Sequence, residues 1–446
     1  MRYPDMIAIF APNSTNRLEY LIHHAISVTW GNTYRLFDKQ ESFLQEVAEA
    51  KINYSDQPME GALWIPPAGL LAETGLRPLH PGIIWHNGTP HCFPTGVQGA
   101  DLDWDPLSAC FYFLSRYEEY LPHTADRHGR YQAAESTAAQ NGFLQMAVVD
   151  RWLAELADRL HEKFPAFSPA PRQTVFTPTY DIDQFFAYRE KPVLRNSAAA
   201  LRQLLNRDWK GFRNRWQVRT GRQPDPYDTF AQLRHLHKTE GLHPHYFVLF
   251  APHSRHDKGL RPDNPTFRSR LKTLAEEGTI GLHGAYDTAF AQPEQLKTEA
   301  EALSQCIGHP VTSHRAHYLR MRLPESARYL TAAGITDDYS MGYSNAAGFR
   351  AGTCSPFYFF DLERNEATNL RIHPLLFMEN AFFGCTDRSE PSLWQQVQPL
   401  LDECIRFHGE IVTLFHNPSF GPMPGHDLPV PELYSKIIHY IKMSCR

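Results

Sequence analysis

The sequence predicts an α/β protein, in which a distorted (β/α)7-type barrel over residues 173–446 follows a smaller α/β domain over residues 1–165. Short β-type runs alternate with helical stretches through the second part, which is the pattern of parallel strands joined by helical crossovers. The chain has 446 residues, more than one ordinary domain holds. A proline-rich stretch at residues 165–172, PAFSPAPR, separates the two parts and is the predicted linker.

The first part opens with a short buried strand, MIAIFAP, and a helical stretch, NRLEYLIHHAI, that Asn13 or Ser14 could cap. Two extended pieces follow, GALWIP and GIIWHNG, and the second contains an Asn-Gly turn signal. Helical periodicity returns in DPLSACFYFLSRYEEYL and VVDRWLAELADRLHEKF, whose apolar stripes are typical of a core-facing helix.

The second part contains seven strand candidates, each short and rich in β-branched or aromatic residues. They are TVFTPTYD, HYFVLFA, TIGLH, VTSHR, GITDDYS, NLRIHPLLF and IVTLFH. Six helical stretches lie between or after them: DTFAQLRHLHKTEG, NPTFRSRLKTLAEEG, QPEQLKTEAEALSQCIG, PESARYLTAAG, PSLWQQVQPLLDECIRFHG and PELYSKIIHYIKM. This alternation predicts a closed or nearly closed barrel.

Composition and charge narrow the classes of partner. Hydrophobic residues make up 42% and charged residues 21%, which indicates a globular protein. The net charge is −5, and the largest cationic cluster is the short run from Arg202 to Arg222, so no nucleic-acid partner is expected. That run also holds Trp209, Phe212 and Trp216; it is typical of a solvated helix face, with contact to an anionic or sugar ligand as the alternative.

Cysteine usage and the first residues bear on location. The seven cysteines are odd in number, scattered and without a C-x-x-C pair, which favours a reducing compartment. The apolar stretch in MRYPDMIAIFAPNSTNR is shorter than a secretory signal core, and no run approaches the roughly 18 apolar residues of a membrane span. We therefore expect a cytoplasmic protein without a membrane span.

Titratable side chains fall where six of the seven predicted strands end. They are Asp181 and Asp183, His283, His314 and Arg315, Asp337 and Asp338, His373, and His416. In a (β/α) barrel the carboxyl ends of the strands form the active face, so these groups are predicted to converge on one mouth. The alternative is that loops after strands are simply polar.

The stretch TVFTPTYDID is the most informative single element. Strand alternation puts Asp181 and Asp183 on the same side of the backbone, about 7 Å apart, so one small site could use both. One carboxylate could hold a metal ion while the other accepts a proton.

Five motifs, TYDID, GLHGAYD, SHRAH, DDYS and TLFHNPSFG, occur in this order and resemble those of bacterial polysaccharide deacetylases of the NodB-homology group. The resemblance covers about residue 173 to the C-terminus. It is closest to the branch with peptidoglycan deacetylases and allantoinase-like amidases. The first 170 residues resemble an uncharacterised domain that precedes this catalytic domain in some bacterial proteins.

The resemblance implies a metal-dependent deacetylase or amidohydrolase and a role for each matching residue. Asp181 matches the family's catalytic base, and Arg315 matches the arginine that orients this base. Asp183 matches the metal-binding carboxylate, and His283 matches the first metal histidine. Asp338 matches the acidic group on the next strand that supports the site, and His416 matches the histidine that protonates the leaving group. The family's second metal histidine is replaced here by Asp287. The implied ligands are therefore Asp183, His283 and Asp287, holding zinc, with manganese or cobalt as alternatives.

Several assignments stay open at this point. His373 also ends a late strand and is the alternative to His416 as the acid. His317 and Tyr318 are expected to line the pocket, and Arg350 could meet a carboxylate or phosphate of the substrate. The substrate is expected to be a small molecule or a glycan. Allantoinase-like hydrolysis of a non-sugar C–N bond is one rival function; a degenerate site that only binds a glycan or partner protein is the other.

Overall fold

The computed structural model describes residues 6–191, 193–290, 293–422 and 428–445. Its strands are β1 (Met6–Phe10), β2 (Thr33–Phe37), β3 (Ala50–Asn53), β4 (Leu63–Trp64), β5 (Ile84–His86), β6 (Thr89–His91), β7 (Val175–Ile182), β8 (His245–Leu249), β9 (Thr279–Gly284), β10 (Ser313–Ala316), β11 (Asp337–Asp338), β12 (Phe357–Asp361), β13 (Glu366–Ile372), β14 (Leu375–Met378) and β15 (Glu410–His416). The predicted α/β fold is confirmed.

The helices match the predicted helical stretches closely and add several shorter ones. They are α1 (Asn16–Ile22), α2 (Gln40–Gln45), α3 (Pro106–Leu114), α4 (Thr137–Gln140), α5 (Val148–Lys163), α6 (Val193–Leu205), α7 (Trp209–Arg219), α8 (Phe230–Glu240), α9 (Pro265–Ala275), α10 (Pro293–Ile307), α11 (Glu325–Ala332), α12 (Glu390–Arg406) and α13 (Val430–Ser444). No helix in the described part of the chain has both the length and the apolar surface that crossing a bilayer demands.

The first part of the chain forms a small parallel sheet with strand order β2-β1-β3-β4. All five residues of β1 are buried, as the sequence predicts. The cap of α1 is Thr15, rather than Asn13 or Ser14, because the Thr15 side chain accepts a hydrogen bond from the Leu18 amide. The hairpin β5–β6 turns at Asn87 and Gly88, both with positive φ, as the Asn-Gly signal predicts.

The second part forms a nine-stranded sheet in the order β12-β13-β11-β10-β9-β8-β7-β15-β14. Every neighbouring pair is parallel except β12 with β13. The sheet curls into a half-barrel. The evidence is that side chains on strands three positions apart are in contact, although a flat sheet would separate them by about 14 Å. Arg315 on β10 donates a hydrogen bond of 2.8 Å to Thr179 on β7, and the rings of Phe247 and Tyr339 lie 5.2 Å apart.

The sequence prediction is wrong in one strand and misses another. NLRIHPLLF forms two strands instead of one, since β13 ends before the His373–Pro374 pair and pairs with β11, whereas β14 pairs with β15. Proline cannot donate to the ladder, and here the chain changes neighbours at that point. The antiparallel edge strand β12 was not predicted.

The two sheets share one continuous apolar core, built from residues of both parts. Buried polar side chains also join them: Asp150 of α5 accepts hydrogen bonds from the Cys354 amide and the Ser355 hydroxyl. The division into domains at residues 1–165 and 173–446 stays a prediction.

Candidate active site

Strand register places the candidate catalytic residues in two pairs near the carboxyl ends of neighbouring strands. His416 on β15 lies opposite Asp181 on β7, and Arg315 on β10 lies opposite His283 on β9. The pocket at this mouth has a volume of about 370 Å³. It is lined by Arg127, His128, Arg130, Asp181, Asp183, His283, His317, Tyr318, Leu319, Ser344, Asn345, Met378, Asn380 and His416.

Three potential metal ligands meet in this pocket. One ligand atom from each of Asp183, His283 and His317 lies within 4.8 Å of the others. Asp183 Oδ1 is 3.2 Å from His283 Nε2 and 3.6 Å from His317 Nε2. Two ligands bound tetrahedrally to a zinc ion lie about 3.4 Å apart, so the Asp183 separations fit such an ion.

Both histidines are held in an orientation that turns Nε2 towards Asp183. The Nδ1 of His283 donates to the Arg315 carbonyl at 2.9 Å, and the Nδ1 of His317 donates to Asp257 at 2.8 Å. Metal-binding histidines in proteins usually have such a partner on the second nitrogen. Asp257 is itself fixed by the Tyr286 amide and the Ser254 hydroxyl.

The pKa shifts of the cluster show that it attracts positive charge, which either a proton or a metal ion can supply. Burial works to raise the pKa of Asp183, but the neighbouring histidines hold that pKa well below its usual range. Burial would lower the pKa of His317, but Asp183 and Asp257 raise it to about 9. Among the described residues, Asp181 Oδ1 and Asp183 Oδ1 are buried atoms without a hydrogen-bond donor. Carboxylate oxygens that lack a hydrogen-bond donor and lie next to two imidazoles are a chemically suitable set for a divalent metal.

Asp181 lies beside this cluster and is held by a buried cation. Its Oδ2 is 3.6 Å from His283 Nε2, and its Oδ1 is 3.5 Å from the Arg315 guanidinium. Arg315 is fully buried, donates to Thr179 and stacks over the Phe247 ring with its Cζ 4.7 Å from the centroid. The guanidinium therefore has one orientation from which it can position the carboxylate.

His416 closes the pocket on the opposite side of Asp183. Its Nε2 is 4.0 Å from Asp183 Oδ2, and its Nδ1 donates to the buried Glu379 at 2.8 Å. The His416 amide and the Ser419 hydroxyl donate to the same Glu379 oxygen. Burial would lower the pKa of His416, but Glu379, Asp183 and Asp181 together raise it to about 10. His416 is consequently a protonated donor facing the pocket.

Two residues that the sequence associated with the site lie elsewhere. The Asp287 side chain is 58% exposed, lies 3.9 Å from the Arg320 guanidinium and is outside the group of three ligand atoms. Arg350 is buried and makes a two-pronged ion pair with Glu119 of the first part of the chain, so it is not available to a substrate. His317, expected only to line the pocket, occupies the position predicted for Asp287.

His373 and Asp338 are also away from the mouth. His373 donates to Glu410 at 2.6 Å and lies 3.0 Å from Asp337. Glu410 begins the seven-residue strand that His416 ends, so the two histidines lie at opposite ends of the half-barrel, about 20 Å apart along β15. Asp338 accepts hydrogen bonds from His314 and Ser340 and supports the junction of β10 and β11.

The first part of the chain contributes a wall of the pocket that sequence reasoning missed. Arg127, His128 and Arg130 line it, although they precede the half-barrel by about 50 residues. Arg130 is paired with Asp126 and also donates to the Tyr318 carbonyl at 2.7 Å. His128 bonds the Tyr286 hydroxyl at 2.9 Å. The only signal in the sequence is a short cationic run, DRHGR, between the helices of the first part.

Known proteins add little about function. Residues 7–165, less than half of the chain, match a family described as a family of unknown function, DUF7033. No curated protein matches the chain.

Solved structures with a similar chain path have different activities. The Puue allantoinase has a TM-score of 0.38 at 9% identity, covering 61% of this chain and 85% of its own. The 4-α-glucanotransferase from Thermococcus litoralis has a TM-score of 0.35 at 14% identity, and the match covers 61% of this chain and 38% of that enzyme. A polysaccharide deacetylase from Bacillus cereus has a TM-score of 0.29 at 9% identity, and the match covers 61% of this chain and 88% of that protein. Similarities this weak establish neither a family nor a reaction, so function has to be inferred from the side chains of the pocket.

Proposed function

We propose that this chain is a metal-dependent hydrolase that removes an N-acyl group, such as acetyl, from a carbohydrate. The observation that carries the proposal is the meeting of Asp183, His283 and His317 beside Asp181 and Arg315. A divalent cation, with zinc the first candidate, would be held by these three ligands. Once bound it would acidify a water molecule and polarise the acyl carbonyl.

With His317 instead of Asp287 as the third ligand, the set is better suited to hydrolysis than the set expected from the sequence. Once a metal ion has displaced the Nε2 protons, two imidazoles and one carboxylate leave a divalent ion with a net positive charge, whereas a second carboxylate would cancel it. A net positive charge acidifies water more strongly. Three protein ligands also leave coordination positions open, which is typical of catalytic sites.

The remaining residues divide the proton transfers between two sides of the pocket. Asp181, positioned by Arg315, accepts the proton of the attacking water. His416, kept protonated by Glu379, donates a proton to the departing amine. This division assigns the acid to His416 and not to His373, because His373 is held at the far end of the half-barrel.

A second candidate function is allantoinase-like hydrolysis of a small non-sugar C–N bond. The observation that favours it is the size of the pocket, which at about 370 Å³ is at the small end for ligand sites. The wall formed by Arg127, His128 and Arg130 also limits the length of a polymer that could cross the mouth. For the carbohydrate proposal, the same wall favours a single sugar unit or a chain end.

The test is acetate release from a panel of N-acetylated sugars, with ring opening of cyclic ureides to the open-chain carboxylate measured in parallel. Asp181→Asn keeps the shape of the side chain but removes the base, and should lower kcat by about 10²–10⁴-fold. Asp287→Asn makes the same chemical change on the exposed residue and should retain kcat. Metal content is measured for all proteins, so that loss of a base is distinguished from loss of the ion.

The outcomes separate the candidates. Turnover of sugars that depends on Asp181 supports the deacetylase, and turnover of ureides alone supports the second function. Wild-type protein that contains metal but turns over neither set, or Asp181→Asn protein with unchanged kcat, contradicts the proposal and favours a binding module.

A further inference from the structure

A helical hairpin stands out from the half-barrel and has no role in the proposed chemistry. It consists of α6 and α7, lies in the connection between β7 and α8, and is called here the α6–α7 hairpin. Its residues 201–222 contain seven cations and one carboxylate, Asp208, in a chain whose net charge is −5. The cations are Arg202, Arg207, Lys210, Arg213, Arg215, Arg219 and Arg222.

Side chains between the two helices hold the hairpin together, whereas most of its cations are exposed. Arg215 of α7 donates to Gln203 and Asn196 of α6, each at 2.8 Å, and stacks over the Tyr188 ring. The exposed cations are Arg202, Arg207, Lys210, Arg213 and Arg219. None of these five forms an ion pair within the described part of the chain.

The hairpin also exposes four large apolar side chains. Leu201 is 58% exposed, Leu205 75%, Trp209 64% and Trp216 48%. Leu201 and Leu205 are one helical turn apart, and Trp209 and Trp216 are two turns apart, so each pair shares a helix face. Exposed leucine and tryptophan next to unpaired arginine is the composition of helices that lie in a membrane interface.

The segments that lead into and out of the hairpin meet beside the mouth of the pocket. Gln184, the residue after Asp183, and Tyr227 both accept hydrogen bonds from the side chain of Asn417, the neighbour of His416. Asp225 ties the two ends together by accepting from the Ala187, Tyr188 and Arg189 amides. A surface that holds the hairpin would therefore lie near the pocket entrance.

We propose that the α6–α7 hairpin binds an anionic membrane surface. The charge excess complements acidic lipid headgroups, and the interface of a bilayer would bury the exposed apolar side chains. A nucleic acid or other soluble polyanion would use the cations but leave Leu201 and Leu205 in water. This proposal is independent of the proposed hydrolase activity, since none of the hairpin residues lines the pocket.

The test is co-sedimentation of the full chain with phosphatidylcholine vesicles, alone or containing about one third phosphatidylserine. The charge variant is Arg207→Gln with Lys210→Gln and Arg213→Gln. The apolar variant is Leu201→Gln with Leu205→Gln. The control removes three exposed cations from the other helices, as Lys238→Gln with Lys272→Gln and Lys297→Gln.

Wild type should partition onto the phosphatidylserine vesicles, and added salt should weaken the binding. The charge variant should lose about fivefold per cation, equivalent to about 1 kcal/mol each, or about 100-fold in all. The apolar variant should bind less well, and the control should match wild type. Hydrolysis of a soluble substrate should be equal in all four proteins, which separates lipid binding from the activity.

Three results would overturn the proposal: wild type that stays in the supernatant, a charge variant that binds as well as wild type, or binding lost equally in the control. Binding of the same four proteins to single-stranded RNA and to heparin is measured in separate titrations. Binding to them as tight as to vesicles, and unaffected in the apolar variant, would identify a polyanion site instead and would also refute the membrane assignment.

Discussion

The assignment of His317 as a metal ligand in place of Asp287 can be tested by metal binding alone. We expect His317→Ala to lower the affinity for zinc or cobalt strongly, and Asp287→Asn to leave it nearly unchanged. His317 Nε2 lies 3.6 Å from Asp183 Oδ1, whereas the Asp287 side chain is 58% exposed next to Arg320. The two variants therefore separate the geometric assignment from the one the sequence implied.

The size of each effect follows from the position of the side chain. Outer partners of metal-binding histidines are worth about 10–100-fold in affinity, so Asp257→Asn should weaken binding by that factor. Loss of His317 removes a ligand itself and should exceed it, at about 100-fold or more. Asp287 carries a solvent-screened charge outside the cluster and should change affinity by less than about threefold.

The assay is a competition titration of metal-free protein against a chromophoric chelator, followed by the visible spectrum of the cobalt form. Tetrahedral histidine and carboxylate ligation should give a cobalt spectrum that His317→Ala alters and Asp287→Asn preserves. Because His317→Ala leaves the buried Asp257 without its partner, thermal unfolding of each metal-free variant checks that the fold is intact. Equal losses of affinity in His317→Ala and Asp287→Asn, or wild-type affinity in His317→Ala, would refute the reasoning.

Two further predictions concern buried ionisable groups outside the pocket. Glu119→Gln should lower the free energy of unfolding by about 3–5 kcal/mol in denaturant titrations, because it leaves Arg116 and Arg350 buried without their shared carboxylate. The control, Glu73→Gln, removes the carboxylate of an exposed ion pair with Arg77 and should cost under about 1 kcal/mol. Burial would raise the pKa of Glu119, but the two arginines lower it to about 2, so this contribution is present above about pH 4.5 and is lost as the pH falls towards 2. Equal costs for the two glutamine variants would contradict the first prediction. Burial lowers the pKa of His24 from 6.5 to about 3, so below pH 6.5 the unfolded chain takes up a proton that the folded chain does not. Between about pH 7.5 and pH 5, wild type should lose about 2 kcal/mol of unfolding free energy relative to His24→Leu, and a pH-independent difference would show that His24 is not buried as a neutral group.

The repeating pattern of the second part of the chain was sufficient to predict most of its strands and helices. Periodicity and strand alternation report which face of a local segment is buried, and that information is present in a few neighbouring residues. They also placed Asp181 and Asp183 on one side of β7, where Thr179 and Asp181 both face the interior of the half-barrel. The same reasoning predicted His416 and Arg315 near Asp181 and Asp183, and in the structure His416 lies 4.0 Å from Asp183 and Arg315 lies 3.5 Å from Asp181.

The failures arise where a contact depends on which strands become neighbours. His373 ends a strand as His416 does, but the change of neighbours at Pro374 carries it to the start of β15, against Glu410. Arg350 lies between β11 and β12 in sequence, yet its partner, Glu119, is 231 positions earlier in the chain. No local pattern encodes such a pairing, because its energy comes from burying two groups that only the complete fold brings together.

The placement of His317 shows the same dependence on both parts of the chain. The two residues after it, Tyr318 and Leu319, have φ of 63° and 54°, a left-handed conformation that costs roughly 1–2 kcal/mol for each residue other than glycine. Strain of this kind persists only where surrounding contacts impose it, and it is concentrated at functional sites.

The contacts that impose it come from the first part of the chain. Arg130 donates to the Tyr318 carbonyl, the His128 ring lies 5.0 Å from the Tyr318 ring, and Arg320 donates to the His128 carbonyl. A sharp turn directly after β10 directs His317 towards Asp183, where the spacing of the sequence motif had suggested Asp287. The proposed metal site is therefore supported by both parts of the chain. Asp257 orients the His317 ring from within residues 173–446, and Arg130 and His128 of the first part hold the turn that follows it.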